Sequence, residues 1–247
     1  MPKFKEIKDF DLRLAKFIMR NHPHGFVGAI IEGERGYGKS MYALKLMAQI
    51  YYHYDGLSEE EAWQKSLDNM LFTMEDFTSR IDWNINNDYI TPVWCLDDAT
   101  VHFGSLRFFT ALYEVMQVYS LVATIRTACT GLLITCPRRS LLLKGLREYD
   151  DFTVQIAKDR EPKDRIARGI KWFTIPDGRR RYRKMYEDHY SCMVPNWIYN
   201  KYEVKRKKYL KDVNTEMMQI IEKNMQKKMK KGGVESVKIR TSKDRNL

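Results

Sequence analysis

Gly33, Gly38, Lys39 and Ser40 stand in the spacing G-x-x-x-x-G-K-[ST], inside the run Ile30-Ile31-Glu32-Gly33-Glu34-Arg35-Gly36-Tyr37-Gly38-Lys39-Ser40. Glycines at these places let backbone N–H groups turn toward one point without Cβ clashes, which is what cradling a chain of phosphates needs. The cradle comprises Gly33, Glu34, Arg35, Gly36, Tyr37, Gly38, Lys39, Ser40 and Met41. Lys39 adds a point charge for the outer phosphates, and Ser40 a hydroxyl for Mg²⁺.

A second set of groups suits the same chemistry. Pro92-Val93-Trp94-Cys95-Leu96 is an apolar, β-rich run that ends in Asp97 and Asp98. With the end of that strand beside the glycine loop, Asp97 holds the metal ion and Asp98 polarises an attacking water. Read without the loop, the same residues are a buried strand followed by an acidic turn. Thr130 to Cys136 is a further buried-strand pattern, and Thr135 near its end is placed to orient the water between the two nucleotide-binding strands, or simply to pack.

Elements must deliver these groups. Phe26 to Ile31 is a short apolar run bounded by Gly25 and Gly33, as a strand feeding the loop requires. Met41, Leu44, Met47, Ala48 and Tyr51 recur at helical spacing after it. Residues 9–21 read as an amphipathic helix stopped by His22-Pro23-His24-Gly25, where the histidines shape a turn. Ser58 with Glu61, and Thr73 with Asp76, open helices that should run to about Asn69 and Ile81. Asn84 to Asp88 reads as a loop, residues 105–125 as a long helix, and Arg138 to Arg147 as a helix or extended turn.

Charge is unevenly spread. Residues 1–150 hold 17 Lys/Arg against 19 Asp/Glu, whereas residues 151–247 hold 26 against 13, so the overall +11 resides in the second part. That asymmetry is the footprint of a region that holds a polyanion. Ile166 to Ile175, Pro176-Asp177-Gly178 and Arg179 to Tyr186 read as a β-hairpin. One arm carries Arg179, Arg180, Arg181, Arg183 and Lys184, and Lys205-Arg206-Lys207-Lys208 follows downstream; these are the candidate nucleic-acid contacts. From Tyr209 to Met229 an apolar stripe marks a basic helix with a self-association or partner surface. The expected organisation is a nucleotide-binding core over 1–157, a basic hairpin extension over 158–194, a basic helical region over 195–231 and a disordered tail over 232–247. Cys95, Cys129, Cys136 and Cys192 lack C-x-x-C spacing and read as reduced thiols. No apolar run is long enough to span a bilayer and the first residues form no signal peptide, so a soluble protein of the cytoplasm, or of the host cytoplasm for a viral chain, is expected.

With these motifs in place, the chain resembles the additional-strand P-loop ATPases, and within them the AAA+ class, nearest to small DnaA-like ATPases of archaeal viruses and plasmids. Ile31 to Ser40 stands where the Walker A element does, Leu96-Asp97-Asp98 looks like Walker B, and Leu133-Ile134-Thr135 is similar to a sensor 1 strand. Leu146-Arg147 occupies the place of an arginine finger, with Arg138, Arg139 and Arg107 as further candidates. The resemblance covers roughly residues 10–157. Many members carry Glu where Asp98 stands, and the usual helical lid with a sensor 2 arginine is not recognisable because residues 158–190 look β-rich, which sets the AAA+ resemblance against one to the HerA/FtsK-like DNA pumps or filamentous-phage assembly ATPases. The resemblance implies an α/β three-layer P-loop sandwich with a mainly parallel sheet. It also implies ATP and Mg²⁺ as cofactors, DNA as partner and assembly into a homo-oligomer. Three functions compete: a replication-initiator or helicase-loading ATPase, a DNA translocase or packaging motor, and a nucleotide-dependent interaction protein that never touches DNA.

Overall fold

In the computed structural model, which describes residues 6–100, 124–148, 151–160 and 164–243, the apolar run before the glycine loop is the strand β1 (Val27–Glu32). It lies inside a seven-stranded sheet of order β2-β3-β4-β1-β5-β6-β7. The other strands are β2 (Met70–Leu71), β3 (Thr91–Leu96), β4 (Cys129–Cys136), β5 (Phe152–Lys158), β6 (Asp164–Thr174) and β7 (Arg180–Ser191). Strands β1 to β5 pair in parallel, while β5, β6 and β7 pair antiparallel. β3 and β4 are buried at every residue, as parallel strands covered on both faces must be, which is why they read as unbroken apolar runs.

Among the described residues before Asn196 the α-helices are α1 (Arg13–Asn21), α2 (Lys39–His53), α3 (Glu59–Asp68), α4 (Met74–Asn86) and α5 (Lys144–Glu148). One side of the sheet buries Trp94, Leu132 and Ile134 together with Phe77 and Ile81 of α4 and Leu146 of α5. α1 and α2 belong to the other layer: Ile18 fills the space above Gly131 of β4, and Tyr51 Oη donates to the Val93 carbonyl at 2.9 Å. The result is an α/β fold with a mostly parallel sheet.

Local chemistry explains the ends. Ser58 Oγ accepts from Glu61 N, and Glu61 Oε2 accepts from Ser58 N at 3.0 Å, so α3 begins with a complete capping box. Thr73 Oγ1 accepts from Asp76 N at 3.0 Å to open α4. α4 does not stop near Ile81, however, and takes in the segment expected as a loop up to Asn86. The reason is Asn84: its buried amide donates to Thr91 Oγ1 at 2.7 Å and to the Ala128 carbonyl at 2.6 Å, so a polar residue occupies a core position of the helix. α1 begins at Arg13, later than expected, because Leu12 is extended and its N–H is taken by Gln49 Oε1 at 2.8 Å. Two residues long, β2 left no periodicity to read. Arg138 to Arg147 forms a 3₁₀ turn, Arg139–Leu141, and then α5. The long helix expected over 105–125 falls almost entirely outside the described residues.

The hairpin of β6 and β7 is longer than expected and continues the core sheet, hydrogen-bonded to β5 from Arg165 to Ile170. Beyond Ile170, β6 pairs with β7 alone. A bulge lies between Gly169 and Ile170: Gly169 faces Tyr186 while Ile170 faces Lys184, leaving Met185 as an extra residue. The Tyr186 ring lies directly over Gly169, where any Cβ would overlap it.

The chain divides into two compact units, residues 1–200 and 201–247. The second is the greater part of α6 (Asn196–Lys243), which also makes residues 232–243 helical where composition suggested a disordered tail.

Candidate nucleotide-binding site

Beyond Glu32 the chain turns through Gly33 (φ 153°), Gly36 (φ 78°) and Gly38 (φ 85°), and α2 starts at Lys39. Left-handed backbone at Gly36 and Gly38 is the conformation that L side chains resist, so the glycine pattern is a geometric requirement of the loop. With Gly38 as its N-cap, α2 receives no side-chain cap, and its first N–H groups and positive dipole end face the loop. Lys39 is buried, and its Nζ donates to the carbonyls of Gly33 and Glu34 at 2.9 Å each, across the mouth of the turn.

Asp97 is 1% exposed at the end of β3. A buried carboxylate needs donors, and Asp97 Oδ1 has two: Ser40 Oγ at 2.8 Å and Thr135 Oγ1 at 2.6 Å. Thr135 Oγ1 also accepts from Asp98 N at 2.9 Å, and its carbonyl accepts from Ala99 N at 3.0 Å. Asp98 sits next to this knot in left-handed backbone (φ 49°) and is half-buried. The strand that carries Asp97 is not the immediate neighbour of β1. β4 lies between them, with Thr135 opposite Ile31 of β1 and Ile134 opposite Leu96 of β3. Thr135 thereby joins the carboxylate to the glycine loop. A serine hydroxyl and a carboxylate form a hard oxygen donor pair, the type that suits Mg²⁺, and the uncapped helix end with Lys39 suits a phosphate chain.

Sequence reasoning missed a set of residues that touch the loop from β5, β6, β7 and the residue after them. Tyr190 Oη donates to the Gly38 carbonyl at 3.1 Å, and Arg165 Nε to the Tyr37 carbonyl at 3.1 Å. Cys192 Sγ fills the space a Cβ at Gly38 would need, and Lys158 Nζ lies 4.9 Å from the centre of the Tyr37 ring. Burial pushes the Tyr190 hydroxyl and the Cys192 thiol upward, so both are neutral near pH 7. Cys136, beside the loop at the end of β4, is pushed to about 12 by burial and then by Glu32. Glu32 itself accepts from Arg139 N at 2.9 Å and from Gln155 Nε2 at 3.2 Å. These contacts join positions more than 100 residues apart, so no local pattern announced them.

A further tie binds the loop's helix to the hairpin. Asp188 of β7 accepts from Tyr42 Oη of α2 at 2.9 Å and from Arg13 N at 3.2 Å. Burial raises its carboxyl to about 6 against those donors.

Of the arginine candidates, Arg147 is half-buried on α5 with its Nε enclosed, and its carbonyl accepts from Arg139 Nη2 at 2.8 Å. Arg138 is exposed just beyond β4, and Arg107 lies outside the described residues. On the hairpin, Arg179, Arg181, Arg183 and Lys184 are exposed, whereas Lys205, Arg206, Lys207 and Lys208 lie on α6 in the second unit. Among the described residues no helix is long and apolar enough to cross a membrane.

No protein-family model matches the chain. It is 26% identical over 214 residues, 84% of each chain, to an uncharacterized protein, B-251, of Sulfolobus spindle-shape virus 1. Among solved structures it is similar to the N-terminal domain of zonular occludens toxin from Neisseria meningitidis, with TM-score 0.41 and 15% identity over 71% of this chain and 98% of that one. It is also similar to the RadB recombinase, with TM-score 0.39 and 16% identity over 65% and 87%. A third is the genome packaging NTPase B204 of Sulfolobus turreted icosahedral virus 2 in complex with ATP-gammaS, with TM-score 0.27 and 13% identity over 68% and 87%.

Proposed function

We propose that the protein is a Mg²⁺-dependent ATPase that acts on DNA. The observation that carries this reading is the convergence of Ser40 and Thr135 on one oxygen of Asp97, next to a glycine loop that ends in Lys39. In it Lys39 neutralises the outer phosphates, Asp98 orients the attacking water, and Thr135 registers the terminal phosphate. Ser40 and Asp97 would hold Mg²⁺, which supplies charge neutralisation at the phosphates when bound. The insertion of β4 between β1 and β3 supports the additional-strand class.

An arginine from a neighbouring copy completes the site, which makes the working form an oligomer. Such fingers are worth about 10³–10⁵ in rate where they operate. Arg147 is the candidate by position; Arg138 is the one more open to a neighbour. The basic C-terminal part holds DNA, and the expected role is replication initiation or helicase loading. The alternative of a translocase or packaging motor gains from one feature, the β6–β7 hairpin standing where a helical lid was the other possibility.

ATP turnover measured with no DNA, with single-stranded DNA and with duplex DNA tests the reading. Turnover stimulated by DNA and abolished by Lys39→Ala is expected. Normal hydrolysis by Lys39→Ala would overturn the site assignment, and turnover indifferent to DNA would overturn the DNA role.

A further inference from the structure

Two exposed aromatic surfaces stand out on the first unit, and charge separates them. Trp83 and Tyr89 pack edge to face with centroids 5.9 Å apart, but between Ile81 and Ile90 the chain has Asp82 and Asp88 and no Lys or Arg. The end of the hairpin is the opposite case. From Lys171 to Lys184 it holds six cations (Lys171, Arg179, Arg180, Arg181, Arg183, Lys184) and one carboxylate, Asp177, which is drawn to Arg179 at 3.5 Å.

Rings and cations alternate across this ribbon in a fixed way. Register pairs Trp172 with Tyr182, and their rings lie 5.4 Å apart on one face, where Lys184 follows opposite Ile170. The other face carries Phe173 opposite Arg181, and Lys171 opposite Arg183. Trp172 is anchored by its Nε1–H donating to Thr153 Oγ1 at 3.1 Å. Beyond it Tyr182 is 65% exposed and Phe173 44% exposed. Past Ile170 the edge of β6 no longer pairs with β5, and Tyr182 and Phe173 present their exposed rings on opposite faces of the ribbon.

Phosphate contact alone would account for the arginines but not for large rings held in water. A duplex keeps its bases stacked on one another and offers a flat surface only phosphates and groove edges, whereas a single strand offers base faces as well. We infer that the hairpin end binds single-stranded DNA, its bases stacking on Tyr182, Trp172 and Phe173 while Arg181 and Arg183 follow the phosphates. This rests on the DNA-acting reading above and names its substrate form.

The test is fluorescence anisotropy of the full-length chain with a labelled oligodeoxythymidine and with a duplex of the same length. The double variant Tyr182→Ala/Phe173→Ala removes two exposed rings and leaves the core intact. It should weaken oligodeoxythymidine binding roughly tenfold or more, from the loss of base stacking, and duplex binding less than about twofold. Arg181→Ala/Arg183→Ala should weaken both and reduce the single-strand salt slope by about 1.4. Trp83→Ala should change neither. Unaltered oligodeoxythymidine binding by the aromatic double variant, or equal loss on both DNAs, overturns the inference. The two readings separate cleanly: loss of single-strand binding in a chain that hydrolyses no ATP keeps this inference and sinks the ATPase. DNA-stimulated turnover with binding untouched by the aromatic changes does the reverse.

Discussion

Ser40 and Asp97 are 57 positions apart in the chain, and β4 lies between β3, which leads into Asp97, and β1, which leads into the loop before Ser40, yet Ser40 Oγ donates to Asp97 Oδ1 across 2.8 Å. Neither residue has a local reason to meet the other. Helix α2 brings one and β3 the other, and the sheet order makes the distance short. Changing either group should act on metal-dependent steps before it acts on folding. Ser40→Ala and Asp97→Asn are expected to lower ATP turnover by about 10² or more, as removal of a main charge-stabilising contact does. A titration with Mg²⁺ should show Ser40→Ala needing more metal than the parent chain, while thermal melts stay close.

Thr135 gives a sharper comparison because its hydroxyl both donates to Asp97 and accepts from Asp98 N. Thr135→Val keeps the shape and leaves both partners short of a hydrogen bond, a loss of about 1–3 kcal/mol for buried groups. Thr135→Ser should restore most stability and most turnover. Urea unfolding of the two variants beside the parent checks it. Destabilisation by Ser but not by Val would point to methyl packing instead.

The glycines of the loop should differ in a predictable order. Alanine at Gly36 meets nothing within 4 Å and bears only the cost of its positive φ, roughly 1–2 kcal/mol. Alanine at Gly38 bears the same conformational cost and also overlaps Cys192 Sγ. Gly38→Ala should therefore lose nucleotide affinity far more than Gly36→Ala, and adding Cys192→Ala should recover part of the difference. Binding of a fluorescent ATP analogue provides the ranking.

The buried acid at position 188 predicts a pH dependence. Its carboxyl is raised from 3.8 to about 6, chiefly by burial, so the folded state holds a proton there that the unfolded chain releases. That contribution to stability is whole below about pH 4 and is lost as pH rises through about 6. The full swing is on the order of 2–3 kcal/mol. Asp188→Asn, which cannot ionise, should gain stability relative to the parent between pH 4.5 and pH 8 by a comparable amount. Urea titrations at several pH values, taken as differences between the two chains, isolate this group from every other carboxylate.

Much of the candidate site is legible in the sequence because it is encoded locally. The glycine loop needs fixed spacing, the acidic pair ends an apolar run, and Thr135 is next to last in another; each signal fits within about ten neighbouring residues. The hairpin was legible too, through its Pro176-Asp177-Gly178 turn and flanking β-rich arms. What escaped was encoded by distance. Asn84 looked like loop material because polarity was the visible property, while its partners, Thr91 and Ala128, belong to other elements. Tyr190, Arg165 and Cys192 carry no motif, and only the antiparallel return of β6 and β7 puts them against Tyr37 and Gly38. The extra residue at 185 could not be seen either, since alternation in a sequence carries no record of a missing partner.

Met185 has a larger effect than its side chain suggests. Counted by plain alternation from Tyr186, Tyr182 and Lys184 would fall on the same side as that buried ring, with Arg181 and Arg183 turned away. One unmatched position inverts the parity, so the two arginines come to share a side with Lys171 and Phe173. The handedness of the cationic surface is thus set by a counting irregularity in the backbone rather than by the identity of any charged residue.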